Sequence, residues 1–291
     1  MAAAQHDIEN YFVPHHSKWP FVGSIALFVM MIGLVNWFNG HDVAFWFFMA
    51  GTAMMVYTLF GWFADVIRES ERGLYNDQVD ISFRQGMIWF IFSEVMFFAA
   101  FFGALFYVRT FALPWISGEG HGALANEFLW NGYTTGWPEN GPAQLGGAFG
   151  TIPAFGLPLL NTIVLLTSGL TLTVAHHAMV LGERTKVLLW LGATIALGLV
   201  FFGIQTYEYS HAWNDLNLRL TSGIYGATFF MLTGFHGLHV FIGTLILAVL
   251  WFRVLKGHFT PERHFGFEAG AWYWHFVDVV WLGLFIFVYV M

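Results

Sequence analysis

Residues 85–108 read QGMIWFIFSEVMFFAAFFGALFYV, and this stretch decides the fold. It is long enough to cross a bilayer, because an α-helix needs roughly 20 residues to span the hydrocarbon core. Glu94 is the only formally charged residue in it. An ionised carboxylate inside a membrane is costly unless it faces protein or water, and such groups mark functional sites. The stretch therefore predicts a membrane helix with a functional carboxyl group.

The composition of the whole chain agrees with a membrane location. Of 291 residues, 57% are hydrophobic and only 10% are charged, whereas a soluble domain carries about 25% charged residues. Only helices and closed barrels satisfy the backbone in lipid, and the apolar runs here are too long for barrel strands. We predict an all-α integral membrane protein.

Composition also excludes several functions. The chain has no cysteine, which excludes disulfides, thiolate-held iron–sulfur clusters, cysteine zinc sites and thiol catalysis. The net charge of −7 provides no basic surface for nucleic acid. Residues 1–19 are polar and the first apolar run lacks a small-residue cleavage site, so no cleaved signal peptide is expected.

Seven apolar runs are predicted to span the membrane. They cover residues 20–38, 43–64, 85–108, 155–182, 187–207, 220–252 and 269–291. Nine basic residues then fall on one side of the membrane, and only Arg109 and Arg219 fall on the other. The excess of positive charge places the N-terminus in the cytoplasm and the C-terminus outside.

The runs also suggest how the chain is organised. Residues 1–66 hold an N-terminal cytoplasmic segment and the first two spans, and residues 67–82 form a charged cytoplasmic connection. Residues 83–291 hold the other five spans. Within them, residues 112–153 form a long external loop that we interpret as an irregular cap, with Trp115, Trp130 and Trp137 at the membrane interface.

Polar residues interrupt the spans at a few places besides Glu94. They are His176, His177, Glu208, His236, His239, His275 and Asp278. His236 and His239 are three residues apart and share one helix face, so they could hold a metal or haem. We favour buried imidazoles that bond to the backbone or to hydroxyls and fix helix packing. For His275 and Asp278 an intrahelical polar pair is favoured over a catalytic dyad.

Glu94 itself has two interpretations, which the sequence does not separate. It could relay protons or cations, or it could be a carboxyl kept neutral by burial. The basic residues on the cytoplasmic side also have two interpretations. They could be topology signals alone, or they could bind anionic phospholipid headgroups.

Several blocks of sequence resemble cytochrome c oxidase subunit III. The longest are HFGFEAGAWYWHFVDVVW at 264–281 and TGFHGLHV at 233–240. Shorter ones are DVIRE at 65–69, FSEVMFF at 92–98, LPLLNT at 157–162, AHH at 175–177, and Gln205 with YEY at 207–209. They lie in or beside spans two to seven in the family's order. Beyond Trp137 and Pro138 the external loop departs from the family's pattern.

The resemblance implies an architecture and a function. It implies two N-terminal helices splayed from five C-terminal helices, with lipid in the cleft between them. It also implies a non-catalytic subunit without haem, copper or another metal of its own, which packs on catalytic subunit I, beside subunit II, of an aa3-type oxidase. Haem a and copper would lie in those partners, and respiratory supercomplex partners are expected. Such a subunit stabilises the catalytic subunit, holds phospholipids and supports proton uptake while dioxygen is reduced to water.

Residue by residue, Glu94 matches the family's buried glutamate, and Arg253 matches the arginine that ends span six. The resemblance makes Arg253 the best candidate for a headgroup contact. Further candidates nearby are Lys256, His258, Arg68 and Glu69. None is expected to be catalytic. We expect a location in the bacterial inner membrane.

Two other functions are retained as alternatives. One is the equivalent subunit of a quinol-oxidising haem–copper oxidase. The other is a stand-alone proton-coupled transporter that uses Glu94 and the histidines of span six. A transporter would need a water-accessible central cavity and activity without other subunits.

Overall fold

The computed structural model describes residues 11–14 and 16–291, and these residues form helices and connections without any β-strand. Seven of the helices are long and apolar enough to cross a membrane. The prediction of an all-α protein with seven membrane spans is therefore confirmed. The expected cytoplasmic N-terminal segment lies partly outside the described residues.

Nine α-helices follow one another along the described chain. They are α1 (Trp19–Phe38), α2 (Ala44–Glu71), α3 (Asp77–Tyr107), α4 (Leu113–Ile116), α5 (Ala123–Phe128), α6 (Leu157–Val180), α7 (Arg184–Asn214), α8 (Gly223–Lys256) and α9 (Phe265–Leu284). A π-helical turn, Val108–Ala112, joins α3 to α4, and a second one, Phe285–Val290, extends α9.

The helices run beyond the predicted spans wherever a polar sequence continues the helix. The charged connection expected at 67–82 is largely helical, because α2 continues to Glu71 and α3 begins at Asp77. Asn76 caps α3 by accepting a 3.0 Å hydrogen bond from the Val79 amide on its side-chain oxygen. Asp77 and Asp80 lie in the first turn, where the positive end of the helix dipole stabilises their negative charge. Hydropathy found the apolar part of each helix and missed these polar ends.

The chain divides into two compact units, Met1–Gln85 and Gly86–Met291. In the first unit, α1 and α2 form an antiparallel hairpin whose backbones approach closely at glycines. A Cβ atom at Gly33 would lie 2.2 Å from the Phe48 amide nitrogen, and one at Gly51 would lie 2.3 Å from that of Met30. Small residues of this kind let membrane helices pack backbone against backbone.

The second unit is built around a bundle of α6, α7, α8 and α9, and its centre is aromatic. Trp274, Trp281 and Phe201 are fully buried there. Both indole nitrogens donate hydrogen bonds to α6, from Trp274 to Ser168 Oγ and from Trp281 to Thr162 Oγ1, each at 2.9 Å. Buried indoles with satisfied N–H groups fix the rotation of α9 against α6.

The external loop is more regular than predicted. It contains α4 and α5, and the Asn126 side-chain amide donates hydrogen bonds to the carbonyls of Ile116, Trp130 and Tyr133. Because that one amide satisfies carbonyls on both sides of α5, the loop folds on itself. The Trp137 ring packs 5.4 Å from that of Tyr225, and its location at the membrane interface stays a prediction.

Candidate functional site around Glu94

The site of greatest interest joins Glu94 on α3 to His239 on α8, which are 145 positions apart in sequence. Glu94 Oε2 lies 3.0 Å from His239 Nε2. The His239 side chain is 11% exposed and that of Glu94 is 22% exposed. Glu94 is thus partly buried in this chain, and its nearest polar partner is an imidazole.

The hydrogen bonds of His239 determine how many protons the pair holds. Its Nδ1 lies 2.6 Å from the Phe235 carbonyl oxygen, which can only accept, so Nδ1 carries a proton. The contact between Nε2 and Glu94 then needs one further proton. That proton sits either on the imidazole, giving an ion pair, or on the carboxyl, giving a neutral pair. One proton between Nε2 and Oε2 would therefore complete the hydrogen bond that joins Glu94 and His239 into a unit.

Aromatic rings surround this unit. The ring centroid of Phe98 lies 5.0 Å from that of His239, and the Tyr273 ring stacks on the imidazole at 6.3 Å. Phe97 packs at 6.0 Å. These rings cover most of the pair and strengthen its electrostatic interaction, because the effective dielectric falls beside them.

The other histidine of span six has a different environment. His236 is fully buried, its Nε2 lies 3.2 Å from the Val277 carbonyl oxygen, and its ring packs 5.0 Å from that of Trp281. His236 bonds to the α9 backbone, as a packing residue would, whereas His239 reaches α3. The two histidines are three residues apart on α8, but His236 contacts α9 and His239 contacts α3.

Two further polar pairs lie inside the second unit. His275 Nδ1 is 3.4 Å from Asp278 Oδ2, as the intrahelical pair predicts, and Thr173 Oγ1 lies 3.4 Å from the other ring nitrogen. The Tyr289 hydroxyl donates a 2.5 Å hydrogen bond to buried Glu208. The first pair lies within α9 and reaches α6 through Thr173, and the second joins α7 to the π-helical turn after α9. Neither pair is hydrogen-bonded to the Glu94 unit among the described residues.

The two adjacent histidines of α6 have different environments. His176 is half-buried and packs its ring 5.5 Å from that of His264, whereas His177 is exposed. The predicted burial of His177 is wrong within this chain, because consecutive residues of a helix point about 100° apart and only one of them reaches the neighbouring helix.

The headgroup candidates lie in two places, one in each unit. Arg253 and Lys256 occupy the last turn of α8, which ends at Gly257 in the left-handed conformation and is followed by His258. The Arg253 guanidinium lies 4.3 Å from the centroid of the Phe259 ring. Cations at a helix C-terminus are favoured by the dipole, and they also form a basic rim at this helix end.

In the first unit, the candidates already have protein partners. Arg68 pairs with Asp65 at 2.7 Å, and Asp65 also accepts a 2.7 Å hydrogen bond from the Trp19 indole. Glu69 accepts a 2.7 Å hydrogen bond from Tyr75, and burial together with this carboxylate raises the pKa of the tyrosine. Glu69 thus holds the chain between α2 and α3.

Sequence reasoning missed one cluster in the second unit. His176, His264 and Glu268 each offer a ligand atom, and these atoms all lie within 4.8 Å of one another. His264 and Glu268 are four residues apart across the start of α9, a spacing that could have suggested the pair. His176 is distant in sequence, so only the fold could add it.

Comparison with known proteins supports the resemblance of the sequence blocks. Residues 9–114 and 137–291 match a family described as cytochrome c oxidase subunit III. Besides residues 1–8, the unmatched residues are 115–136, so the departure from the family's pattern precedes Trp137 and the prediction that it follows Pro138 is wrong. The segment 115–136 includes α5 and Asn126, whose side-chain amide donates the hydrogen bonds that organise the loop.

Individual relatives are similar along almost the whole chain. Proteins named cytochrome c oxidase subunit 3 from Gadus morhua and Dugong dugon are each 41% identical over 285 residues, which is 98% of this chain and 98% of theirs. One of the same name from Branchiostoma lanceolatum is 44% identical over 274 residues, which is 94% of this chain and 93% of its own.

Proposed function

The chain belongs to the cytochrome c oxidase subunit III family, and from that premise we propose that it is the non-catalytic core subunit III of an aa3-type oxidase. In this role it stabilises the catalytic subunit, holds structural phospholipids and supports proton uptake during the reduction of dioxygen to water. Subunits of this family belong to an oxidoreductase complex, so other subunits are implied.

The chain would work through partners that carry the redox centres. Its main partner is catalytic subunit I, with subunit II in the same complex, and haem a and copper reside there. The absence of cysteine supports this division, because it removes thiolate ligation. The hydrogen bonds that occupy both nitrogens of His239, and the bond from His236 to the α9 backbone, support it for the histidines of span six.

The 3.0 Å contact between Glu94 and His239, in which one proton would be shared, is the observation that carries the proposed role in proton uptake. The pair is neutral with its proton on either atom, and passing that proton on leaves a carboxylate charge that the uptake of another proton removes. The two interpretations of Glu94, as a proton relay and as a neutral buried carboxyl, then describe the same pair. The neutral form and the ionised form of Glu94 are the two proton positions of one unit.

Phospholipid binding is supported by the basic end of α8. Arg253 and Lys256 present guanidinium and ammonium groups within one helical turn, and His258 follows. Basic side chains just cytoplasmic of a span attract anionic headgroups. Arg68, with Glu69 beside it, would serve a second headgroup in the first unit, and its pairing with Asp65 reduces the charge available there.

We place the chain in a bacterial inner membrane with its N-terminus in the cytoplasm and its C-terminus in the periplasm. The bias of nine basic residues against two supports this orientation. Supercomplex partners would contact the exposed apolar faces of the helices.

Purification from native membranes tests the function. An affinity tag on this chain should bring down a haem-bearing subunit, and the complex should oxidise reduced cytochrome c. If no haem-bearing subunit accompanies the chain, the proposal is wrong. Oxidation of quinol instead would assign the chain to a quinol oxidase. A bound-haem spectrum of the isolated chain would contradict the assignment of the redox centres to its partners.

Glu94→Gln tests the shared proton separately from assembly. The amide can still donate to His239 Nε2, so the complex should retain this subunit. An amide does not exchange the proton, so proton uptake by the purified complex should slow. His177→Gln, a change at an exposed residue, should leave uptake unchanged. Loss of the subunit from the Glu94→Gln complex would contradict the predicted assembly, and normal uptake would exclude Glu94 from the proton route.

A further inference from the structure

We propose that His176, His264 and Glu268 form a binding site for a divalent metal ion of the zinc type. Each side chain offers one ligand atom, and the three atoms lie within 4.8 Å of one another. This proposal replaces the expectation, drawn from the resemblance, that the chain has no metal site. It does not depend on the proposed function.

The fold brings the three ligands together from two helices. His176 lies in the last part of α6, His264 caps the start of α9 and Glu268 lies in its first turn. The i, i+4 spacing places His264 and Glu268 on one face of α9, with His264 Nε2 3.2 Å from Glu268 Oε1. The rings of His176 and His264 meet edge to face at 5.5 Å. A bound ion would tie the end of α6 to the beginning of α9.

The hydrogen bond of His264 leaves a lone pair directed at this site. Its Nδ1 lies 3.2 Å from the Thr260 carbonyl oxygen, which can only accept, so Nδ1 is the protonated nitrogen. In the neutral ring, Nε2 then carries a lone pair. An Nδ1–H bonded to a backbone carbonyl is the arrangement that orients metal-binding histidines.

Two buried nitrogen atoms at the site have no hydrogen-bond partner among the described residues. They are Nε2 of His176 and Nε2 of His264, and the latter has only the 3.2 Å contact with Glu268 Oε1, which does not meet hydrogen-bond geometry. His264 as a whole is only 8% exposed, so solvent reaches little of it. Buried polar atoms normally have a partner, and leaving one without is costly. A cation between the imidazoles and the carboxylate would satisfy both nitrogens at once.

The donor set selects the kind of ion. Two imidazoles and one carboxylate suit zinc, with a water molecule in the fourth position, whereas calcium and magnesium prefer oxygen ligands. Zinc–nitrogen bonds are about 2.0–2.1 Å long, so small side-chain rotations must draw the three atoms together on binding. The ring of Phe267, 5.8 Å from that of His176, provides an apolar wall.

The competing explanation for the short contact between His264 and Glu268 is a proton on His264 rather than a metal ion. A protonated His264 beside an ionised Glu268 would form an ion pair across the 3.2 Å contact. It would leave His176 Nε2 without a partner, which is why we favour the metal ion.

Zinc binding by the purified protein tests the proposal. The chain is purified with its accompanying subunits through a tag that contains no histidine, stripped with a chelator, equilibrated with zinc and freed of excess metal. Metal analysis then compares the wild type with His176→Gln, Glu268→Gln and the exposed control His177→Gln. We expect the first two variants to lose a single zinc ion per chain, and the control to retain it.

Anomalous scattering at the zinc edge locates the ion and remains decisive if the variants fail to accumulate. We expect a peak in the wild-type protein between the three ligand atoms. Equal zinc content in all four proteins would overturn the proposal and leave the proton-held pair. So would a map of the zinc-loaded wild type without a peak at this place.

Discussion

The hairpin of α1 and α2 and the bundle of α6 to α9 solve the same problem with different contacts. Lipid chains are as apolar as leucine, so burying apolar surface does not by itself hold membrane helices together. The hairpin relies on glycine, with Gly33 against the Phe48 backbone and Gly51 against that of Met30. The bundle relies on indoles that donate across helices to hydroxyl groups, from Trp274 and Trp281.

The difference shows how each region specifies its structure. A glycine contact is purely steric, so it sets the distance between two helices and tolerates no larger side chain. An indole hydrogen bond has direction, so it sets helix rotation as well. Gln205 adds to this in the bundle by donating a 3.0 Å hydrogen bond to the Thr233 carbonyl oxygen. The two residues proposed for proton uptake, Glu94 and His239, also lie in the second unit.

Trp281→Ala should have the largest effect on the bundle. The fully buried indole packs 4.7 Å from the Phe201 ring, and its removal leaves a cavity that we expect to cost about 3–5 kcal/mol. Since the chain has no cysteine, the thiol reactivity of Ala175→Cys, fully buried on α6, can report bundle opening during denaturation in mixed micelles. Trp62→Ala, at a half-exposed tryptophan of α2, is the matched control. Equal effects of the two changes would contradict the bundle's dependence on its indoles.

Gly33→Ala should have the next largest effect and should act on the hairpin. The new methyl group would overlap the Phe48 backbone, and overpacking of this kind costs about 1–3 kcal/mol. Ala26→Cys, fully buried on α1, serves as the thiol probe for opening of the hairpin. Gly23→Ala, whose methyl group would only touch Thr58 at 3.4 Å, should be tolerated. If both alanine variants protect the thiol as well as the parent does, close backbone contact does not hold the hairpin.

The hydrogen bond between Trp274 and Ser168 should have the smallest effect. Interhelical hydrogen bonds in membranes average about 0.6 kcal/mol by double-mutant cycles, with a maximum of about 1.7. A cycle of Trp274→Phe and Ser168→Ala, read with the Ala175→Cys probe, should give a coupling energy in this range. Coupling indistinguishable from zero would mean that packing alone, without the bond, positions α9 on α6.

The sequence predicted the membrane helices well and their polar ends poorly. Apolar runs report what lies in lipid, and α2 and α3 extend beyond it through charged turns that hydropathy does not detect. The external loop was predicted as irregular because its glycines and prolines outweigh the short helix α5. The Asn126 hydrogen bonds that organise it depend on the folded chain.

The candidate site could be predicted only in part. A lone Glu94 in an apolar run indicated function, and His239 was noticed through its spacing from His236. That Glu94 and His239 are partners depends on the packing of α3 on α8, which no local pattern encodes. His264 and Glu268 have a readable i, i+4 spacing, but His176 comes from another helix.

The proposed sharing of one proton by Glu94 and His239 also determines how this unit would respond to a transmembrane voltage. The pair has no net charge in either proton position, and transfer displaces charge by at most the 3.0 Å that separates the two atoms. That is roughly a tenth of a hydrocarbon core of about 30 Å. Since a full crossing at 100 mV involves about 2.3 kcal/mol per charge, the transfer involves at most about 0.2 kcal/mol. The internal equilibrium of the pair is therefore nearly the same in energised and de-energised membranes, and only a proton that arrives from outside the pair does electrical work.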